Sequence, residues 1–361
     1  MWVATQTGLF FFFGINSDLE SLKYIRAAEN LLQNGHFPEV RYFFYLTTTL
    51  VIALGLKTGA GFTGVVIIQL IINFIATFRF YFALKHLEKK RFSAFITTLL
   101  LVTFFPYQAW NYYLFTESLF YSSALLFFAS CLMYTTITRK AIAVQLLFLV
   151  LTIISRPLGI VFLPCWILFI ARKQKINFAL FLTLFVSAAV VAVVVCNIIL
   201  GNIGDWEILK PAEYGYIICD IPSRAYMSLS PFKQHSPLLQ LWLFVINYPS
   251  YFLQLTVDRL QAFFFLIRSY YSASHNLYLA AYAAIFLAPA VVNLFLYRKK
   301  IFTTATSLLS FLIVAAFSTA IMLQCDDYHN RFHHAIIPVF LYCGAFLLLE
   351  KIELPFFRAR K

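Results

Sequence analysis

Long apolar runs separated by short basic clusters make up most of this chain and restrict the folds open to it. The segment 62–84 contains one charged residue, Arg79, and is followed at once by the basic run 85–91. A membrane-spanning helix needs about 20 mainly apolar residues, and cytoplasmic loops collect Lys and Arg. Only 12% of the residues are charged and the mean hydropathy is +0.80, which is far from the composition of soluble domains. The sequence therefore predicts an all-α polytopic membrane protein.

The net charge of +13 arises from these basic clusters. In a soluble protein such a charge would suggest nucleic acid as a partner. Here Lys and Arg lie in short groups between apolar runs, which is the positive-inside pattern, so we expect no nucleic acid. The six cysteines have no spacing typical of a zinc or redox site. Only Cys219 and Cys325 fall in polar segments, where a disulfide is an option that the sequence does not require.

Placing every basic cluster on the cytoplasmic side gives about ten spans, with both termini inside. The run 42–56 is short for a span, and counting it would place 85–91 outside, so we interpret it as an interfacial or re-entrant helix. The outer loops are then 16–61 and 201–275, within a single predicted domain that covers 1–361. The predicted spans are residues 1–15, 62–84, 92–110, 116–137, 141–155, 157–171, 176–200, 276–297, 302–323 and 333–349.

The first outer loop begins with a polar, amphipathic segment, 16–38, which is typical of a helix at a membrane surface. Ser17 and Glu20 have the spacing of a capping box, which would make Glu20 a capping residue rather than a catalytic one. Asp18 would then lie in the first helical turn, where the helix dipole favours an acid. The residues expected on the apolar face are Leu22, Ile25, Ala28 and Leu32, and Gly35 followed by Pro38 is expected to end the helix.

Three other polar groups fall at the same predicted ends of the helices, at Glu117, at Arg156 and in 326–334. Charges at the edge of a membrane are costly and are functional candidates by default. Glu117 is either a dipole-stabilised acid in the first turn of a helix or a partner of Asp18 across a wet cleft. In the second case the two carboxylates would share a proton or hold a divalent cation, magnesium or manganese.

Arg156 lies on the outer side, against the positive-inside bias, and precedes a proline. A guanidinium there either snorkels to the interface or makes a bidentate contact with phosphate. The polar run 326–334 adds Arg331, with His329 beside it, as a second cationic group. Adjacent His333 and His334 would diverge by roughly 100 degrees on a helix, so we expect no metal shared between them. Acids and arginines together suit a reaction on a lipid phosphate.

The order of these residues resembles the GT-C superfamily of integral-membrane glycosyltransferases. The likeness is to the branch of dolichyl-phosphate-mannose protein mannosyltransferases and bacterial polyprenyl-phosphate-sugar enzymes. Four patches carry it and leave 201–275 unmatched. They are Ser17-Asp18 with Tyr24, Ala27, Ala28, Leu31, Leu32 and Gly35; residues 64–84; Thr116-Glu117-Ser118-Leu119-Phe120; and 331–338.

The resemblance implies transfer of a sugar from a polyprenyl-phosphate donor to a lipid-linked glycan, polysaccharide or protein outside the cytoplasm. It implies a bacterial inner membrane with an outward-facing site. Asp18 would be the base or metal-site acid and Glu117 a supporting acid, while Arg156, Arg331 and His329 would contact the donor phosphate. The first loop has one Asp where some relatives have an acidic pair, so metal dependence stays open. The alternatives are a lipid-linked glycan polymerase or ligase and a non-enzymatic flippase or transporter.

Overall fold

The structure, a computed structural model, describes residues 1–88, 91–134, 136–177, 209–229, 235–301, 304–325 and 328–347, with isolated residues in 179–190 and at 232–233. Within these ranges there is no strand, and the backbone is mainly helical, which confirms the all-α class. Contacts divide the chain into two compact units. The first is Met1–Leu163, Ala284–Phe311 and His334–Lys361, and the second is Pro164–Ala283 and Leu312–His333. The single domain predicted from the sequence stays a prediction.

The first unit is built around one central helix, α7, in which nearly every residue is buried. Helices α4 and α8 pack against it, and helix α3 packs between α2 and α4. The helices are α1 Trp2–Phe13, α2 Ser21–Asn34, α3 Leu46–Lys57, α4 Gly61–Glu88, α5 Arg91–Thr103, α6 Phe105–Gln108, α7 Glu117–Met133, α8 Arg139–Ile153 and α9 Phe162–Gln174, the last of which continues into the second unit. Three 3-10 turns connect them at Val40–Tyr45, Ala109–Tyr112 and Pro157–Val161.

Close backbone approach explains why α3 and α4 form a tight hairpin. A Cβ atom on Gly55 would lie 2.7 Å from the carbonyl oxygen of Gly61 and 2.8 Å from a methyl group of Val65. Such distances exclude any side chain larger than hydrogen. The hairpin therefore depends on a glycine at this position.

The predicted span 92–110 is broken rather than continuous. Helices α5 and α6 meet at Phe104 with a bend of 67°. Pro106 lies in the first turn of α6 and cannot donate to the preceding turn, which explains the break. The side chain of Gln108 turns back and donates to the carbonyl oxygen of Leu101 at 3.1 Å, so a carbonyl group near the break is satisfied.

The prediction of about ten spans is not confirmed. Among the described residues five helices are long and apolar enough to cross a membrane, or six if the bent pair is one span. The five are Val40–Lys57, Gly61–Leu87, Pro157–Gln174, Ala273–Asn293 and Ala305–Leu323. The first contains the run 42–56, because a 3-10 turn extends α3 to 18 residues, so this segment is long enough to span. Its interpretation as an interfacial or re-entrant helix stays a prediction. Most of the predicted span 176–200 lies outside the described residues.

The predicted capping box at the start of α2 is wrong. The helix begins at Ser21, its N-cap is Glu20, and no side chain caps it. Asp18 therefore precedes the first turn, and its carbonyl oxygen accepts the Ser21 N–H at 3.1 Å. Leu22 and Leu32 are exposed, while Tyr24, Ile25, Ala27 and Ala28 form the buried face. Gly35 ends the helix in the left-handed conformation, as its position predicted.

The second unit contains helices Pro237–Asn247 and Pro249–Phe265 and one end each of Ala273–Ile301 and Ala305–Leu323. A disulfide joins Cys219 to Cys325, which are 106 residues apart in the chain. The sequence allowed this disulfide but did not require it. Disulfides persist in oxidising compartments and are rare in the cytosol. The two segments that it joins are both assigned to the outer side by the positive-inside pattern.

A buried arginine ties three segments of this unit together. Arg259 donates to the carbonyl oxygens of Tyr216 at 2.8 Å and of Pro211 and Met322 at 3.0 Å each. Burial lowers the pKa of Arg259 to about 10, so the guanidinium stays charged at neutral pH. Charged donors of this kind stabilise more than neutral ones.

We expect Arg259→Leu to lower the free energy of unfolding by about 2–3 kcal/mol, because three carbonyl groups lose a charged donor. The thermal midpoint of the purified chain in detergent measures this effect. Arg224→Leu is the matched control, since Arg224 pairs with Asp258 at a partly exposed position. That change is expected to cost less than about 1 kcal/mol. Equal losses in the two variants would contradict the proposed role of Arg259.

Candidate functional site

A backbone bridge brings two of the predicted polar segments together in the first unit. The N–H of Asn16 donates to the carbonyl oxygen of Tyr112 at 2.8 Å, and the N–H of Leu114 donates to the carbonyl oxygen of Asn16 at 3.0 Å. This bridge lies two residues before Asp18 and shortly before Glu117. The loop that carries Asp18 is therefore fixed beside the start of α7.

Glu117 is fully buried at the first position of α7 and forms an ion pair with Arg156. Thr116 joins them, since its hydroxyl accepts from Nη1 of Arg156 at 3.5 Å and donates to Oε2 of Glu117 at 3.4 Å. The carboxylate and the guanidinium stabilise each other, because either one alone would be an unpaired charge removed from water. Replacing one of them is therefore expected to affect the other.

Arg156 is held in place by the hairpin between α8 and the turn Pro157–Val161. Its backbone is extended, and its carbonyl oxygen accepts the N–H of Gly159 at 2.8 Å. A Cβ atom on Gly159 would overlap the carbonyl oxygen of Thr152, so only glycine fits this turn. Thr47 fixes the hairpin to the start of α3 by donating to the hydroxyl of Ser155 at 2.8 Å.

Tyr24, Glu20 and Lys23 on and before α2 form a second polar group in this unit. The hydroxyl of buried Tyr24 donates to Oε1 of Glu20 at 2.9 Å, and the ammonium of Lys23 lies 2.7 Å from the same oxygen. Burial and then the charge of Glu20 raise the pKa of Tyr24 well above its usual value. Glu117 raises it further and Arg156 lowers it, so α2 lies within electrostatic range of the buried ion pair.

The role of Glu20 differs from the one predicted, because it binds Tyr24 and Lys23 instead of completing a capping box. Tyr24 was predicted only as part of the resemblance, and Lys23 was not predicted at all. A signal for them was present. Lys23 follows Glu20 at a spacing of three, and Tyr24 at a spacing of four, which are the spacings that bring helical side chains together.

Asp18 is exposed at the edge of this site. Its backbone N–H donates to the side-chain oxygen of Asn16 at 3.3 Å, and Leu19 follows with a positive φ of 54°. A positive φ is uncommon for a residue with a side chain. The turn leaves Asp18 exposed at the surface of the first unit.

His329 and Arg331 belong to the second unit. His329 and Asn330 both have positive φ angles, of 59° and 56°. Nδ1 of His329 lies 3.2 Å from the hydroxyl of Tyr271, and buried Asn330 accepts from Arg268. Arg331 opens helix Arg331–Ala335 and is mostly buried. The neighbouring Asp326 and Asp327 lie outside the described residues.

Glu117 does not fit the cation site that the two acids suggested. Its Oε1 takes the ion pair with Arg156 and its Oε2 takes the hydroxyl of Thr116. A divalent cation at the same carboxylate would place two positive groups on one anion. Within the described part of the chain no group of three or more His, Cys, Asp or Glu side chains could hold a metal. We derive no step through a metal ion.

Comparisons of this chain with protein-family models, with curated proteins and with solved structures give no match.

Proposed function

We propose that this protein is a GT-C-type glycosyltransferase of a membrane, using a polyprenyl-phosphate sugar as the donor. The acceptor class is a lipid-linked glycan, a polysaccharide or a protein. The observation that carries the proposal is the meeting of three predicted elements in the first unit. The bridge at Asn16 and Tyr113 fixes the Asp18 loop beside α7, and Glu117 at the start of α7 pairs with Arg156.

In the proposed reaction the Asp18 carboxylate accepts the proton of the acceptor hydroxyl. The hydroxyl oxygen then bonds to the anomeric carbon as the bond from that carbon to the phosphate oxygen breaks, with inversion at the carbon. The electron pair leaves with the polyprenyl phosphate. Arg156 stabilises this negative charge, and Glu117 acts as a positioning residue that orients the guanidinium. The assignment of Arg331 and His329, which belong to the second unit, to a donor phosphate stays a prediction from the sequence.

The outward orientation has support from two sources. Basic clusters place the polar ends of the helices outside, and the disulfide between Cys219 and Cys325 suits an oxidising compartment. A bacterial inner membrane, with the site facing outward, fits both. The lipid tail of the donor would lie among the apolar helices.

The direct test uses the full chain in proteoliposomes with a labelled polyprenyl-phosphate sugar and candidate acceptors. Transfer of label from lipid to acceptor supports the proposal. Movement of intact labelled lipid across the bilayer, with no transfer, would contradict it.

The broken pair α5 and α6 favours one rival, a lipid-glycan flippase or transporter, because discontinuous helices are common at transport sites. The same labelled lipid distinguishes the two, since a transporter moves its substrate without breaking the bond to phosphate. The other rival, a glycan polymerase or ligase, places its essential residues in 201–275. Alanine scanning of that segment tests this alternative, because our proposal places the chemistry at Asp18 and Arg156.

A further inference from the structure

A groove in the first unit lies along the second half of α4. It has a volume of about 240 Å³, and its walls come from α1, α4 and α5. Its lining is almost wholly apolar and aromatic, and includes Trp2, Phe74, Phe78, Tyr81, Phe95 and Leu99. By the same measure one water needs about 10–15 Å³, so the groove has room for a much larger ligand.

The groove is preformed by fixed side chains. The indole N–H of Trp2 donates to the side-chain oxygen of Asn73 at 2.9 Å. The rings of Trp2 and Phe74 pack edge to face, with 5.2 Å between their centroids. These contacts hold Trp2 in one wall of the groove. Mainly apolar clefts with a few polar groups are typical of sites that bind small molecules.

Two cationic residues, Lys85 and Arg91, lie on helices that form the groove walls, near the basic end of α4. Lys85 lies one helical turn beyond Tyr81, and Arg91 one turn before Phe95, so each cation shares a helix face with an aromatic wall residue. The ammonium of Lys85 lies 5.4 Å from the centre of the Phe82 ring. The run 85–91 has four Lys or Arg residues and one Glu. Its charge attracts an anionic headgroup.

We infer that this groove binds one anionic phospholipid of the bilayer, with an acyl chain against the aromatic walls and the phosphate at Lys85 and Arg91. With 42–56 lying at the interface, the positive-inside pattern places this end in the cytoplasm, and the cytoplasmic leaflet carries the anionic lipids. Trp2 and Tyr81 are residues that favour the level of the headgroups. The site is distinct from the polar cluster at Glu117, and it stands whether or not the chain transfers sugar.

The test is native mass spectrometry of the delipidated full chain, titrated with phosphatidylglycerol and, separately, with phosphatidylcholine. We expect phosphatidylglycerol to bind at least tenfold more tightly. The double change Lys85→Gln and Arg91→Gln should weaken it by about 30-fold, since each cation near a membrane surface contributes about fivefold.

Arg79→Gln is the matched control, because Arg79 belongs to the same half of α4 but contacts the sulfur of Met133 at 3.8 Å on α7. It should change the affinity by less than about twofold, which is within the effect of one screened charge. Leu99→Trp should fill the groove and abolish selective binding. Equal affinities for the two phospholipids, or a loss in Arg79→Gln as large as in the double variant, would overturn the inference. Tighter binding of a long-chain polyprenyl phosphate than of phosphatidylglycerol would overturn the assignment to a phospholipid.

Discussion

Replacing Arg156 with methionine is expected to lower the free energy of unfolding by about 3–5 kcal/mol, because it leaves the buried carboxylate of Glu117 without its counter-charge. Thermal unfolding of the purified chain in detergent measures the change. Arg41→Met is the matched control, since Arg41 forms an ion pair with Glu39 at an exposed position. The control is expected to cost less than about 1 kcal/mol.

The double change Glu117→Leu and Arg156→Met separates a structural role from a functional one. Replacing both members of a buried pair by apolar residues is often neutral, so we expect most of the stability to return. Sugar transfer should still fall by at least about 100-fold, because the phosphate loses a preorganised donor. If the double variant regains both stability and transfer, the ion pair is structural and Arg156 does not belong to the reaction.

Replacing Asp18 with asparagine is expected to reduce transfer by about 10²–10⁴-fold, which is the range for loss of a general base. Stability should be unchanged within about 0.5 kcal/mol, because Asp18 is exposed. The measurement is initial transfer rate per folded protein with a labelled polyprenyl-phosphate sugar.

Glu29→Gln serves as the control for Asp18→Asn, since Glu29 is an exposed acid on α2 that lies away from the bridge. It should retain full activity. Full activity in Asp18→Asn would remove Asp18 from the proposed mechanism. Equal losses of transfer in both variants would indicate that the negative charge of this region is required, and not the Asp18 carboxylate in particular.

Short-range patterns in the first loop predicted some details and missed others. Gly35 was placed correctly as the end of α2, because a left-handed residue at that position needs little beyond local sterics. The capping box failed, although its spacing was correct. Glu20 instead binds Tyr24 and Lys23, two partners in its own helix that compete with the backbone for the carboxylate.

The number of spans shows the limit of counting apolar residues. Hydropathy identified 62–84 correctly, since α4 covers it. It treated 92–110 as one span, whereas Pro106 breaks the helix. It also judged 42–56 too short for a span, whereas a 3-10 turn extends the helix to 18 residues. The break and the extension both depend on backbone geometry that hydropathy does not describe.

The sequence by itself determined that this is a helical membrane protein and that Asp18, Glu117 and Arg156 are unusual charges at its apolar helix ends. Hydropathy and charge are properties of single residues, so they can be read along the chain. Only the tertiary structure decided that Glu117 pairs with Arg156, 39 residues later, and that the Asp18 loop is bound to the start of α7. Such contacts depend on how helices pack, because a buried charge takes as its partner whichever opposite charge the packing brings beside it.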